Sequence, residues 1–296
     1  MQFHELLQGS GPLVADGGMG TMLFALGLAQ GAAPERWNLD QPDNIRSVHR
    51  GYIEAGAQII LTNTFGGSHP RLARHDLEAR CAELNAAAAR LARAEADAAA
   101  HPVVVAGSIG PTGEFFTPMG ALTAESAQAA FAEQAAALAE GGVDVFWIET
   151  MSDLQEIEAA LAACRQAAPA VPVVTTMTFD TKGRTMMGVR PEQAAAAMVE
   201  LGVVAGGANC GNGPQEIEEV IAKMHAAQPD LLLVAKSNAG RPRLEGGRAV
   251  YDATPADMAA YAQRVRAAGA RIIGACCGST PAHIAAIAGA LQAEGA

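Results

Sequence analysis

Eight short apolar runs recur along this chain, each separated from the next by a stretch long enough to form a helix. They are LVADG at 13–17, AQIILTNT at 57–64, PVVVAGSIG at 102–110, VDVFWIET at 143–150, VPVVTTMTF at 171–179, VVAGGANC at 203–210, LLLVAKSNAG at 231–240 and RIIGACCG at 271–278. Each has the length and unbroken apolar character of a parallel strand buried on both faces. The intervening Ala-rich segments, such as AELNAAAARLARAEADAAA and SAQAAFAEQAAALAEGG, have helical spacing, and the second is stopped by a glycine pair. Helix starts are marked too. Ser152 with Gln155 predicts a capping box, and Thr254 and Thr280 each precede a proline suited to a first helical turn.

Eight strand–helix units in 296 residues, half of them apolar, are the count for an α/β chain folded as one (β/α)8 TIM barrel spanning 1–296. Right-handed crossovers at every step close such a sheet on itself. The competing architecture is an open doubly wound sheet, which usually has fewer strands and a glycine-rich phosphate loop after its first strand. GGMGTM at 17–22 lacks the G-x-G-x-x-G spacing, and no acidic residue ends the second strand. A dinucleotide site is therefore discounted.

The net charge of −11 and the absence of a Lys/Arg cluster argue against a nucleic-acid partner. The first residues, MQFHELLQGSGP, do not read as a secretory signal, and nowhere do about 18 apolar residues run together, so a soluble cytoplasmic protein with no membrane association is expected. Five cysteines without a framework spacing agree with a reducing compartment.

In a barrel of this kind the active site lies at the C-terminal ends of the strands, so the residues there form a candidate list. Strand one ends in Asp16, Gly17 and Gly18, strand two in Asn63 to Gly66, and strand three in Gly107 and Ser108, with Glu114 in the loop beyond. Strand four ends in Glu149 and Thr150, strand six in Cys210, strand seven in Asn238, and strand eight in Cys276 and Cys277. Adjacent cysteines make a poor disulfide, because the peptide between them hinders a relaxed S–S geometry. Cysteine is also a common buried small hydrophobe. That reading does not predict three thiols on one rim, whereas a metal site does.

Zinc suits soft thiolate ligands and a site without electron-transfer machinery, and three ligands leave a fourth position open. An iron–sulfur cluster usually takes a fourth cysteine, but Cys81 and Cys164 fall in helical stretches and read as core or surface residues. No histidine lies in an H-E-x-x-H pattern, and His283 reads as a first-turn helix residue. Three thiolates leave zinc a weak Lewis acid toward water but well matched to activating a substrate thiol. Alkyl transfer to sulfur is the reaction expected. Asp16 and Glu149 can hold a substrate ammonium, and the N–H groups of Gly17 and Gly18 its carboxylate, as in an amino acid bearing a thiol. The plainer readings are a turn residue for Asp16 and a helix N-terminal acid for Glu149.

Taken together, ADGGMGTML (15–23), PERWNLDQP (34–42), TNTFGG (62–67), GSIGPTGE (107–114), IETMSDLQE (148–156), GANCGNGP (207–214), SNAG (237–240) and GACCGSTPAHI (274–284) resemble the homocysteine S-methyltransferase family over nearly the whole chain. The resemblance is nearest in motif to the homocysteine module of cobalamin-dependent methionine synthase. It implies a (β/α)8 barrel in which Cys210, Cys276 and Cys277 bind zinc, the homocysteine thiolate is the fourth ligand, and methionine forms by attack of that thiolate on a donor methyl. It further implies that Asp16 and Glu149 bind the substrate amino group, and that Asn238 matches an asparagine able to approach zinc when substrate is absent; a strand-end turn residue is the alternative.

The donor stays open. It is a methyl group carried by a separate corrinoid or folate-binding protein, or a small molecule such as S-methylmethionine or betaine. A quaternary ammonium favours an aromatic cage, and aromatics make up only 4% of the residues, with Trp37, Phe115 and Phe116 available as walls. A zinc and thiol-binding module without turnover is the rival from another class, and a barrel whose cysteines only stabilise the fold is a third reading.

Overall fold

The computed structural model of the chain describes residues 2–246 and 248–292. All eight apolar runs contain strands. They are β1 Leu13–Val14, β2 Ile59–Leu61, β3 Val104–Ile109, β4 Val145–Met151, β5 Val173–Met177, β6 Ala205–Cys210 and β7 Leu233–Ser237; then, after a hairpin formed by β8 Arg243–Glu245 and β9 Arg248–Val250, β10 Ala270–Ala275. The hairpin lies in the connection after β7 and pairs antiparallel. No apolar run announces it, because Arg243, Leu244 and Glu245 are all exposed.

The barrel strands pair in parallel in the order β1-β10-β7-β6-β5-β4-β3-β2. The ring closes where Ala15 bridges Ile59, with the Asp16 N–H donating to the Ile59 carbonyl at 2.9 Å and the Gln58 N–H donating to that of Val14 at 2.8 Å. The barrel expected from the strand count is thus the one observed.

Alternation along each strand separates two cores. Leu13, Ile59, Val104, Val145, Trp147, Val174, Val234 and Ile272 fill the barrel interior, while the opposite residues pack under the helices. The helix Gln2–Gln8 sends Phe3, Leu6 and Leu7 into the interior cluster and closes the barrel at its strand N-terminal end. A side chain such as Phe3, fully covered there, is worth roughly 2 kcal/mol of apolar burial. Alanine dominates the outer helices because they pack closely; at Gly141, which follows the helix Ala124–Glu140, a Cβ would lie 2.4 Å from that of Ala89.

Two of the three helix starts are as expected. Thr254 caps Pro255–Ala267 in a box with Asp257, and Pro281 opens the helix Pro281–Gln292 after Thr280. His283 stands in the first turn of that helix, its Nδ1 accepting the Thr280 N–H at 3.1 Å. The third is corrected: Asp153, not Ser152, caps Leu154–Ala167, accepting the Gln155 N–H at 2.9 Å. A carboxylate one residue later is a stronger acceptor than a hydroxyl and also faces the positive end of the helix dipole. Among the described residues, no helix is long and apolar enough to cross a membrane.

Candidate metal centre and substrate cleft

Extending the inward alternation by two residues from each interior apolar position builds the top layer of the barrel. Val104 and Ala106 lead to Ser108, Val145 and Trp147 to Glu149, and Val234 to Lys236. In the same way Ala205 leads through Gly207 to Asn209. Cys210 is one residue out of phase, and a regular strand would turn it outward toward the helices. Its backbone instead adopts φ +60°, a left-handed conformation costing a non-glycine residue roughly 1–2 kcal/mol. Gly211 follows at φ +70°. The kink brings the Cys210 sulfur to 2.8 Å from that of Cys276.

The Sγ atoms of Cys210, Cys276 and Cys277 all lie within 4.8 Å of one another. Zinc–sulfur bonds of about 2.3 Å in a tetrahedron separate two sulfurs by about 3.8 Å, so this trio fits one ion. Asn238 ties the two thiol-bearing strand ends together: its Nδ2 donates to the Gly211 carbonyl at 2.8 Å, and its Oδ1 accepts the Cys277 N–H at 3.1 Å. Hydrogen bonds from the Cys210 and Cys276 thiols hold the Cys277 thiol well below its ordinary range, while the Cys276 contact pushes Cys210 up. Tyr251, from the connection after β9, also contacts the Cys277 sulfur. Cys81 and Cys164 are buried in helices away from this site, as the sequence suggested.

Asp16 and Glu149 both reach this rim. Asp16 Oδ2 accepts the Leu61 N–H at 2.7 Å, and its Oδ1 accepts from Lys236 Nζ at 2.5 Å. Burial works against charge on Lys236, but Asp16 and Glu149 outweigh it and hold its pKa above the ordinary lysine range. Glu149 Oε1 accepts from Ser108 Oγ at 2.6 Å, and its Oε2 has only a long contact, 3.5 Å, from Asn209 Nδ2. Burial pushes the Glu149 carboxyl up to about 7, with Lys236 pulling the other way. Asn209 orients this corner, taking the Thr150 N–H at 2.9 Å and Thr176 Oγ1 at 2.7 Å on its oxygen.

Asp16, Ser108, Glu149 and Lys236 line a cleft of about 240 Å³ together with Gly17, Gly18, the three cysteines, Phe65, Arg71 and His75. Gly17 and Gly18 have no room for side chains: a Cβ would lie 2.4 Å from Ser279 Oγ at the first and 2.6 Å from the Cys276 carbonyl at the second. The Gly18 N–H already donates to Ser279 Oγ at 2.9 Å. Glu35, from the PERW segment, takes the Gly66 N–H at 2.7 Å on the far wall.

The aromatic candidates separate. Phe115 and Phe116 line a second depression of about 240 Å³, which shares Thr150 with the cleft and is edged by Glu114, Asp153 and Asp180. Trp37 lines neither cavity and packs against the outer core.

Sequence reasoning missed Lys236, Asn209 and Tyr251. A lysine inside LLLVAKSNAG and an asparagine before Cys210 fall on the inward phase of their strands, so alternation could have found both. Tyr251 sits beyond the unannounced hairpin and carried no such signal.

A parallel barrel with three convergent thiols above buried carboxylates defines a thiol-handling enzyme site, and the chain belongs to the homocysteine S-methyltransferase family, whose model matches residues 13–291. Members of this family are S-methyltransferases with homocysteine as acceptor. The chain is 34% identical to the methionine synthases of Mycobacterium tuberculosis and Mycobacterium leprae over 94% of its length, but it spans only 24% of each. The homocysteine methyltransferase MmuM of Escherichia coli, in its metallated form, superposes with a TM-score of 0.83 at 28% identity, covering 98% of this chain and 99% of that one.

Proposed function

We propose that this chain is a zinc-dependent homocysteine S-methyltransferase that forms methionine. The observation that carries the reading is the meeting of three sulfurs, from β6 and the end of β10, at one cleft whose wall presents Glu149. When bound by Cys210, Cys276 and Cys277, zinc supplies the Lewis acidity that keeps a substrate thiol deprotonated near neutral pH.

The chain's own residues do the rest. Glu149, aimed by Ser108 and Asn209, offers Oε2 to the substrate ammonium, and the Asp16 carboxylate lies on the same rim. The Gly17 and Gly18 backbone borders the cleft on the side the substrate carboxylate would take. Fixing the amino acid at both ends points its sulfur along one line toward the donor. One S–CH3 bond forms as the donor–CH3 bond breaks; the donor leaves with the electron pair, and the thiol proton goes to solvent.

For the donor, the reading favours a methyl group carried by a separate corrinoid or folate-binding protein. Among the described residues, Phe65, Phe115 and Met186 are exposed large hydrophobics in connections that follow barrel strands and line the cavities. Exposed apolar groups gathered at a site mouth suit a docking protein. The second reading is a small cationic donor such as S-methylmethionine or betaine in the depression beside Phe115 and Phe116, favoured by its acidic edge.

The test is metal analysis followed by incubation of zinc-loaded protein and homocysteine with a methylated corrinoid protein, methylcobalamin, S-methylmethionine or betaine, measuring methionine. Expected is about one zinc per chain and methionine from one donor class, both lost in Cys210→Ala. Full zinc and full activity in that variant would overturn the assignment; homocysteine binding without methionine from any donor would leave a binding module.

A further inference from the structure

Lys236 is a buried cation that the zinc and acceptor chemistry does not call for. It stands on the inward phase of β7, its Cα partners being Asn209 on β6 and Gly274 on β10. A Cβ on Gly274 would lie 2.8 Å from the Ala15 carbonyl and 2.9 Å from that of Asp16, so the segment that carries Asp16 packs directly on β10 there. Lys236 and Asp16 are each 2% exposed, with 2.5 Å between Nζ and Oδ1, and the ammonium sits 5.8 Å from the centre of the Trp147 ring. The Leu61 N–H holds the other Asp16 oxygen, so the carboxylate is fixed at both ends.

The side chains facing Lys236 across the cleft are otherwise acidic groups. Asp16, Glu149 and three thiols share the cleft with it, and the other basic groups of the lining, Arg71 and His75, belong to the connection after β2. A carboxylate this deeply buried is not sustained as an anion without a partner. Losing the lysine would leave Asp16 without its ion-pair partner and free the Oδ1 end that Lys236 now holds at the cleft.

We propose that Lys236 is a specificity-determining positioning residue, which by pairing with Asp16 keeps a fixed anion at the cleft and so makes the site select a thiol that also carries an ammonium group. The proposal rests on homocysteine being the acceptor. Lys236 touches neither sulfur nor methyl; it acts through Asp16.

The test compares homocysteine with 4-mercaptobutanoate, the same thiol acid without the amino group, by calorimetric binding to zinc-loaded protein. The ratio of their two dissociation constants is the readout. In Lys236→Met, and in Lys236→Gln, which keeps a hydrogen-bond donor for Asp16 should the first variant fold poorly, the preference for homocysteine is expected to fall about tenfold or more. The double variant with Asp16→Asn should lose no more preference than either single change. Equal weakening of both thiols, or an unchanged ratio in folded protein, would overturn the role of Lys236 and leave the acceptor assignment standing. Failure of the wild-type protein to bind either thiol would bring down the acceptor reading and this inference with it.

Discussion

The side-chain oxygen of Asn238 accepts the backbone N–H of Cys277 at 3.1 Å, so a residue that offers no sulfur holds the loop that does. Its amide nitrogen does the same for Gly211, the neighbour of Cys210. One amide therefore sets the spacing between the β6 and β10 thiols. Asn238→Ala should weaken zinc binding roughly 10- to 100-fold, the range seen when outer partners of metal ligands are removed. Competition with a chromophoric chelator measures it, and unchanged affinity would mean that the thiol spacing is held elsewhere.

Glu149→Gln tests the ammonium contact from the other carboxylate. Glutamine can still accept from Ser108 Oγ, so the fold should be kept while the charge is lost. The KM for homocysteine is expected to rise roughly 10- to 100-fold, the value of a hydrogen bond to a charged group, with a smaller change in kcat. Zinc content should stay at the wild-type level. Steady-state kinetics with homocysteine varied supply the split, and an unchanged KM would remove Glu149 from substrate binding.

The barrel was legible because its strands are buried on both faces, which writes each as an unbroken apolar run. The cysteine trio was legible because strand ends of a barrel share one rim, whatever their distance in sequence. What stayed hidden depended on direction. Asp16 reads as a free carboxylate at a strand end, yet its occupancy by Lys236 depends on a residue 220 positions away. Cys210 would point outward in a regular strand, and only its φ of +60°, which no residue pattern announces, brings it inward. The choice of Asp153 over Ser152 as the helix cap is a competition between two good acceptors, decided by one residue of register.

Gly18 offers a steric test of the same rim. An alanine Cβ there would stand 2.6 Å from the Cys276 carbonyl oxygen and 2.8 Å from Thr21 Oγ1, so the Cys276 backbone itself must move. Gly18→Ala should cost about 1–3 kcal/mol of stability, as overpacking does, and lower zinc occupancy with it. Gly20→Ala, two residues on in the helix Met19–Ala25, is the control: nothing stands within 4 Å of its Cβ, and the change should be neutral or stabilising by up to about 1 kcal/mol. Thermal melts and metal analysis of the pair check both, and equal behaviour of the two variants would contradict the close approach.

His49 sets an acid limit on the fold. It stands on the helix Pro42–Glu54, is fully buried, and neither ring nitrogen has a hydrogen-bond partner among the described residues. Burial drives its pKa down from 6.5 to about 4, with Glu95 opposing. The unfolded chain therefore binds this proton more readily than the folded one between those two values. Stability contributed by the neutral ring is complete above pH 6.5, declines as pH falls below it, and is gone by about pH 4. The span corresponds to about 3 kcal/mol. His49→Leu should flatten the dependence of Tm on pH between 7 and 5 relative to the wild type, because leucine fills the site without a proton to gain. Parallel Tm curves for the two proteins over that interval would show that His49 is not the group that titrates.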